Sequence, residues 1–185
     1  SADLGVMRQT LLFGGLESIV RNVNRKAQNL RFFEVGNIYR YNKELWTEES
    51  PINAYAQGYH MALWVTGKRV QGSWAHPDED STFYELKAYV ENILRRIGIP
   101  QGLLHSCKSD NNIFDKAIAL KKPVAKMVRE RGEVVVEMGI LSHKLLKSFG
   151  IEQDVYYAEL NWAGLMNAVR KNILEFQEIS KYPAV

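Results

Sequence analysis

The amino-acid sequence predicts an α+β fold in which a mostly antiparallel sheet is flanked by helices. Hydrophobic periodicity indicates the element order helix, two strands, helix, and then further strands with short helices between them. This order lacks the regular strand–helix alternation of parallel sheets, and no internal repeat is visible. Of the 185 residues, 46% are hydrophobic and 24% are charged, which is typical of a globular domain and excludes a disordered chain.

The first predicted helix spans residues 7–26. Leu12 and Leu16 belong to an apolar series at helical spacing, which predicts one buried face. Gly14 and Gly15 lie inside this series, although glycine is about 1 kcal/mol less favourable than alanine within a helix. Two adjacent glycines therefore indicate that another element approaches the helix closely at this point.

Two strands and a second helix follow. Residues 30–40 and 57–66 are rich in aromatic and β-branched residues and predict strands, the second of them central and covered on both faces. Residues 83–97 carry a single apolar stripe and predict the clearest helix of the chain. Thr82 and Glu85 have the spacing of a capping box at its start.

The second half of the chain predicts short elements. The predicted strands are residues 103–108, 117–120, 133–141 and 155–160. A short helix is predicted over residues 142–149, and Asn161 is predicted to cap another helix that runs to about residue 171.

Local sequence motifs provide no catalytic site. There is no phosphate-binding loop, dinucleotide fingerprint or nucleophile elbow. The acidic run 78–80 is interpreted as electrostatic support for the helix that follows, with a metal site as the alternative. His60 is interpreted as a packed or hydrogen-bonded core residue. A basic cluster is interpreted as a solvated surface, with an RNA-contacting patch as the alternative; it comprises Lys116, Lys121, Lys122, Lys126, Arg129 and Arg131.

Composition also indicates the cellular setting. The single cysteine, Cys107, excludes an internal disulfide framework, and the four histidines show no zinc-ligand spacing, so we expect a reducing, cytoplasmic location. No signal peptide is visible, and the longest uncharged stretch, 51–67, is a poor membrane span. The net charge of +3 is too mild to demand a nucleic-acid partner.

Several segments, in the right order and spread over nearly the whole chain, resemble the bacterial phenylalanyl-tRNA synthetase beta subunit. The first reads Met-Arg-Gln-Thr-Leu-Leu and is followed by Gly-Gly-Leu-Glu, and a later one reads Leu-Arg-Phe-Phe-Glu-Val-Gly-Asn-Ile-Tyr. The matching segments are residues 7–12, 14–17, 22–25, 30–39, 83–87, 136–143, 155–160 and 180–185. No single segment is decisive, but their order along the chain is specific.

The resemblance implies a class II synthetase core-like domain that is a catalytically silent copy. Arg40 matches the arginine of class II motif 2, which holds the ATP α-phosphate, but Asn42 stands where the family pattern has glutamate. The motif 3 arginine has no match, because Arg170 lies too far along its helix. Glu159 and Leu160 occupy the place where the backbone would approach adenine closely.

The resemblance therefore implies no catalytic, cofactor-binding or metal-binding residue in this chain. Arg40 is expected to be a structural arginine paired with Glu34, six residues earlier on the same strand face, with residual nucleotide binding as the alternative. One arginine without partners gives little of the cationic stabilisation that adenylation needs. Magnesium and ATP are expected only for the holoenzyme, whose active site lies in the alpha subunit.

The resemblance also implies a domain division and partners. Residues 1–175 would be the core-like domain, without its motif 1, and residues 176–185 a linker and the start of an anticodon-binding ferredoxin-like domain, so we expect an excised piece of a longer chain. The partners would be the alpha subunit, in an α₂β₂ heterotetramer, and tRNA(Phe). Candidate interface elements are the helix with Gly14 and Gly15 and the aromatic residues Trp46 and Trp74, each of which could equally be buried within the domain.

Two other functions remain open at this point. One is a free-standing class II paralogue that binds ATP or an amino acid, and the missing motif 3 arginine disfavours it. The other is an RNA-binding module that uses the basic segment 116–131, and the absence of interleaved aromatic and basic residues disfavours it.

Overall fold

A six-stranded antiparallel sheet forms the centre of the structure, a computed structural model that describes residues 6–99, 102–122 and 133–169. In chain order its strands are β1 (Leu30–Tyr41), β2 (Tyr55–Thr66), β5 (His105–Lys108), β6 (Phe114–Lys122), β7 (Glu133–Leu141) and β8 (Val155–Asn161). They are arranged β1-β2-β8-β7-β6-β5, and each neighbouring pair is antiparallel. A separate two-stranded ribbon consists of β3 (Lys68–Val70) and β4 (Glu79–Asp80).

Helices cover both faces of the sheet. On one face lies α1 (Leu12–Val23), whose Leu12, Leu16 and Ile19 are fully buried, together with α3 (His143–Ser148). On the opposite face lie α2 (Phe83–Arg96) and α4 (Trp162–Val169). Two apolar clusters fill the spaces between the layers. They bury most of β7, β8 and residues 60–66 of β2, whereas β1 and β5 are more exposed. The predicted α+β class with a mostly antiparallel sheet is confirmed.

Helix α1 is shorter than the periodicity predicted. It begins at Leu12 rather than at residue 7, because the preceding segment bonds to β1: the Tyr39 amide donates to the Arg8 carbonyl at 2.8 Å. It ends at Val23, and Lys26 adopts a positive φ of 66° just beyond the end. The predicted close approach is confirmed at Gly15, where an added Cβ would lie 2.1 Å from Cε2 of Trp64.

The capping box predicted at the start of α2 is wrong. The Thr82 side chain makes no capping hydrogen bond, and the Glu85 carboxylate accepts from the Arg31 guanidinium instead, with Nε at 3.0 Å. In the acidic run before the helix, Asp78 likewise bonds to groups outside the helix. Asp78 accepts from the Gly72 amide at 2.5 Å and binds Lys68 of the β3–β4 ribbon.

Strand β2 is covered over only part of its length. Its partner β8 pairs with residues 60–66, so among the described residues β1 is the only strand paired with residues 55–59. The inner part is mostly buried and the outer part is mostly exposed. The prediction of a strand covered on both faces is therefore confirmed for the inner part and wrong for the outer part.

Candidate functional site

The residues expected from motif 2 lie at the far end of the β1–β2 hairpin. Arg40 is exposed and makes no ion pair or side-chain hydrogen bond with the described part of the chain. The predicted pairing of Arg40 with Glu34 is wrong, because Arg8 binds Glu34 Oε1 through Nη1 at 2.5 Å. Asn42 has a turn-forming role: its side-chain oxygen accepts from the Glu44 amide at 3.0 Å and caps a 3₁₀ turn.

A polar cluster lies on the α1 side of the sheet and centres on Glu159 of β8. Its Oε2 accepts from the Thr10 hydroxyl at 2.7 Å and from the Tyr157 hydroxyl at 2.5 Å. Its Oε1 lies 2.8 Å from Nδ1 of His60 on β2. The predicted role of His60 as a hydrogen-bonded core residue is confirmed, since its exposed fraction is only 9%.

The electrostatics of this cluster favour a charged Glu159. Burial alone would raise the pKa of Glu159, but hydrogen bonds from His60, Thr10 and Tyr157 outweigh burial and lower it. Burial raises the pKa of the Tyr157 hydroxyl well above its ordinary value, and the neighbouring Glu159 charge raises it further. The carboxylate is therefore held ionised by the groups that hydrogen-bond to it, which is the arrangement of a structural hydrogen-bond hub.

Strand register explains why these side chains meet. Glu159 is paired with Ala62, and His60 lies two residues along β2, so both side chains point to the same sheet face as diagonal neighbours. Thr10 approaches from the segment before α1, where its hydroxyl also accepts from the Leu12 amide at 3.1 Å. Sequence periodicity predicted the strands but gave no sign of Thr10 or Tyr157 as partners, because the contacts join positions far apart in the chain.

Comparison with known proteins identifies the family of this chain. A profile described as phenylalanyl tRNA synthetase beta chain CLM domain matches residues 1–162. This chain belongs to that family. It is 49% identical over 185 residues to the phenylalanine–tRNA ligase beta subunit of Bacteroides thetaiotaomicron. The corresponding proteins of Porphyromonas gingivalis and Fusobacterium nucleatum are 40% and 26% identical over their aligned lengths. Each match covers 100% of this chain but only 22% of the relative's length.

In this CLM-family domain, the sheet face beside α1 is filled by the protein's own side chains. The Arg8 guanidinium lies over Gly36, where an added Cβ would come within 2.1 Å of Nη2. Its Nε also donates to the Asn37 carbonyl at 2.8 Å. Arg40 is four residues further along β1 than Gly36, about 13 Å away at 3.3 Å per residue. The structure therefore brings Glu159 and His60 together but leaves Arg40 apart from them.

The structure also bears on the metal site, the basic cluster and the membrane span that were considered from the sequence of this CLM-family chain. Within residues 6–99, 102–122 and 133–169, no group of three His, Cys, Asp or Glu side chains is arranged to hold a metal ion. In the basic cluster, Lys116 is exposed and Lys121 half-buried, while Lys126, Arg129 and Arg131 lie outside the described residues, as does Arg170. No described helix has the length and apolar character needed to cross a membrane.

The two candidate interface tryptophans are both exposed. Trp46 is 46% exposed at the end of the β1–β2 hairpin, and Trp74 is fully exposed in the turn between β3 and β4. The glycine pair in α1 differs from them, because Gly15 packs against Trp64 inside the domain. The close helix packing at Gly15 is therefore internal, and the exposed aromatic side chains lie elsewhere.

Proposed function

We propose that this domain is a non-catalytic, class II core-like part of a phenylalanine–tRNA ligase beta subunit. Its role is to support the active site of the alpha subunit, the assembly of an α₂β₂ heterotetramer in the cytoplasm, and the binding of tRNA(Phe). Membership of the CLM-domain family and the similarity to phenylalanine–tRNA ligase beta subunits support this proposal. Residues 1–175 form the domain in this proposal; residues 176–185, assigned to a linker and the next domain, lie outside the described residues.

The filled sheet face is the observation that carries the non-catalytic part of the proposal. Adenylation requires positive charge next to the reacting phosphate, supplied by arginines and magnesium. Here the cations do not converge: Arg8 is bound to Glu34, and Arg40 stands apart at the hairpin end. Both carboxylate oxygens of Glu159 are engaged, by Thr10, Tyr157 and His60, so the side chain is held in the sheet face rather than presented to a metal-bound nucleotide. ATP and magnesium belong to the alpha subunit in this proposal.

Phenylalanine-dependent ATP–pyrophosphate exchange tests this proposal. The complete protein that carries this sequence is assayed alone and then together with the alpha subunit from the same organism. We expect no exchange from the protein alone and exchange once the alpha subunit is present. Exchange by the protein alone would support the free-standing ATP-binding alternative instead, and failure of the two subunits to co-purify would contradict the assembly role.

A further inference from the structure

The β1–β2 hairpin extends beyond the rest of the sheet as a two-stranded arm, which we define as residues 40–57. Strand β8 stops pairing with β2 at His60, and the last contact of the N-terminal segment with β1 is at Tyr39. Beyond these points, within the described part of the chain, β1 and β2 pair only with each other, from Arg40↔Ala56 to Tyr41↔Tyr55. An isolated two-stranded ribbon is marginally stable in water, so an arm of this kind gains from contact with another surface.

The arm carries a concentration of large apolar side chains that the fold does not cover. All are between 46% and 77% exposed: Tyr41, Leu45, Trp46, Ile52 and Tyr55. Exposed apolar side chains that occur singly are ordinary, but a contiguous group marks an interaction site. Aromatic residues are also enriched in the energetically dominant centres of protein–protein interfaces.

The arm is nevertheless an ordered structure. The Asn42 amide donates to the Ala54 carbonyl at 2.7 Å, and Ala54 is 1% exposed inside the bend. The rings of Tyr41 and Tyr55 are in contact, with centroids 5.1 Å apart. An ordered projection loses less conformational entropy on binding than a flexible loop, so its apolar side chains can contribute more of their burial energy to affinity.

The charge of the arm identifies the kind of partner. Its tip carries Glu44, Glu48 and Glu49, and none of these carboxylates forms an ion pair with the described residues. With Arg40 and Lys43, the arm has a net charge of −1, whereas the whole chain has a net charge of +3. Carboxylates beside the exposed Trp46 would repel RNA phosphates, so the arm is unsuited to nucleic acid. They complement a protein surface that has an apolar centre and a basic rim.

We propose that the arm docks into such a surface and that the alpha subunit provides it; this inference rests on the function proposed above. Trp46 and Ile52 are the apolar anchors, and the glutamates at the tip face lysine or arginine side chains of the alpha subunit. The inner sheet and the polar cluster around Glu159 take no part in this contact.

The test uses the complete protein that carries this sequence and the alpha subunit, with the dissociation constant measured by titration at fixed salt. Trp46→Ala should weaken the association about thirtyfold, because a central aromatic anchor contributes 2 kcal/mol or more and each 1.4 kcal/mol is tenfold. Tyr84→Ala is the matched control: it removes a largely exposed aromatic side chain on α2, outside the arm, and should leave the dissociation constant unchanged. Both variants should keep the far-UV circular dichroism spectrum and melting temperature of the unchanged protein.

A second variant tests the charge argument. Glu48→Lys combined with Glu49→Lys should weaken the association, and the unchanged protein should lose more affinity than this variant when salt is raised. If the arm variants bind the alpha subunit as tightly as the unchanged protein, the arm inference is wrong while the proposed function stands. If the arm variants lose affinity for tRNA(Phe) but not for the alpha subunit, the arm inference is also wrong. If the unchanged protein does not bind the alpha subunit, both proposals fail.

Discussion

The two halves of strand β2 both carry aromatic side chains but have different surroundings. In the inner half, residues 60–66, β8 lies alongside and helices cover both faces, so Trp64 is 1% exposed. In the outer half, residues 55–59, β1 is the only paired strand that the structure describes, and Tyr55 and Tyr59 are about half exposed at 53% and 47%. The boundary between the two halves lies where β8 stops pairing, so the extent of this neighbouring strand divides the hairpin into a buried part and an exposed part.

The largest expected effect is at Arg31, in the inner half of the hairpin. Its guanidinium binds the buried Glu85 carboxylate, the Ser81 hydroxyl at 2.8 Å and the Lys68 carbonyl at 3.0 Å. Arg31→Ala leaves Glu85 without its cation and should lower the free energy of unfolding by about 3 kcal/mol. Urea unfolding followed by circular dichroism measures this loss. A change below about 1 kcal/mol would show that the inner half does not depend on this contact.

A somewhat smaller effect is expected where α1 packs against the inner half. An alanine Cβ at Gly15 would overlap the Trp64 ring, so Gly15→Ala should lower the free energy of unfolding by about 2 kcal/mol. At Gly14 the nearest atom to an added Cβ is 3.7 Å away. Gly14→Ala should therefore be neutral or stabilising by up to about 1 kcal/mol, since alanine favours the helix. Equal losses from both variants would contradict the packing at Trp64.

These contacts also show how far the sequence alone predicts the fold. Periodicity predicted β1, β7, α2 and α3 nearly to their ends, because each element carries an apolar pattern of its own period. It predicted a glycine contact in α1 but not its partner Trp64, which is far away in the chain. It failed for the Thr82 capping box, because Arg31 competes for the Glu85 carboxylate and local spacing contains no information about that competitor.

The next effect concerns the polar cluster, which joins the inner half to β8. Glu159→Gln removes a charged acceptor and should lower the free energy of unfolding by about 1.5 kcal/mol at neutral pH. Because the folded state lowers the pKa of Glu159, its contribution is complete above the ordinary value of 4.5 and is lost as pH falls through the folded-state value. The deficit of the variant, measured by thermal unfolding across pH, should therefore shrink in acid. A deficit that is constant from neutral to acid pH would contradict the lowered pKa.

The smallest effect on stability is expected at Arg40, in the outer half. Arg40 is on the same strand as Arg31 but lacks partners among the described residues, so Arg40→Ala should change the free energy of unfolding by less than about 0.5 kcal/mol. Urea unfolding alongside Arg31→Ala gives a direct comparison within one strand. A loss at Arg40 as large as that at Arg31 would remove the distinction between the two halves.

The candidate site was predictable only in part, because its contacts join positions that are far apart in the chain. The sequence placed Arg40 at the end of a strand, and it indicated that His60 lies in the core. It could not show that Glu34 pairs with Arg8 instead of Arg40, or that Thr10 and Tyr157 donate to Glu159. Strand register and the path of residues 6–11 bring these groups together. The exposure of the arm could not be predicted from the sequence either, because it depends on where β8 stops pairing with β2.

The most direct test of a catalytically silent domain is phenylalanine-dependent ATP–pyrophosphate exchange by the complete complex carrying Arg40→Ala. If Arg40 does not bind a nucleotide, the exchange rate of the variant complex and its dependence on ATP concentration should match those of the unchanged complex. Removal of an arginine that stabilises phosphate charge should lower the rate roughly a hundredfold or more. A fall of that size, with the subunits still associated, would contradict the account.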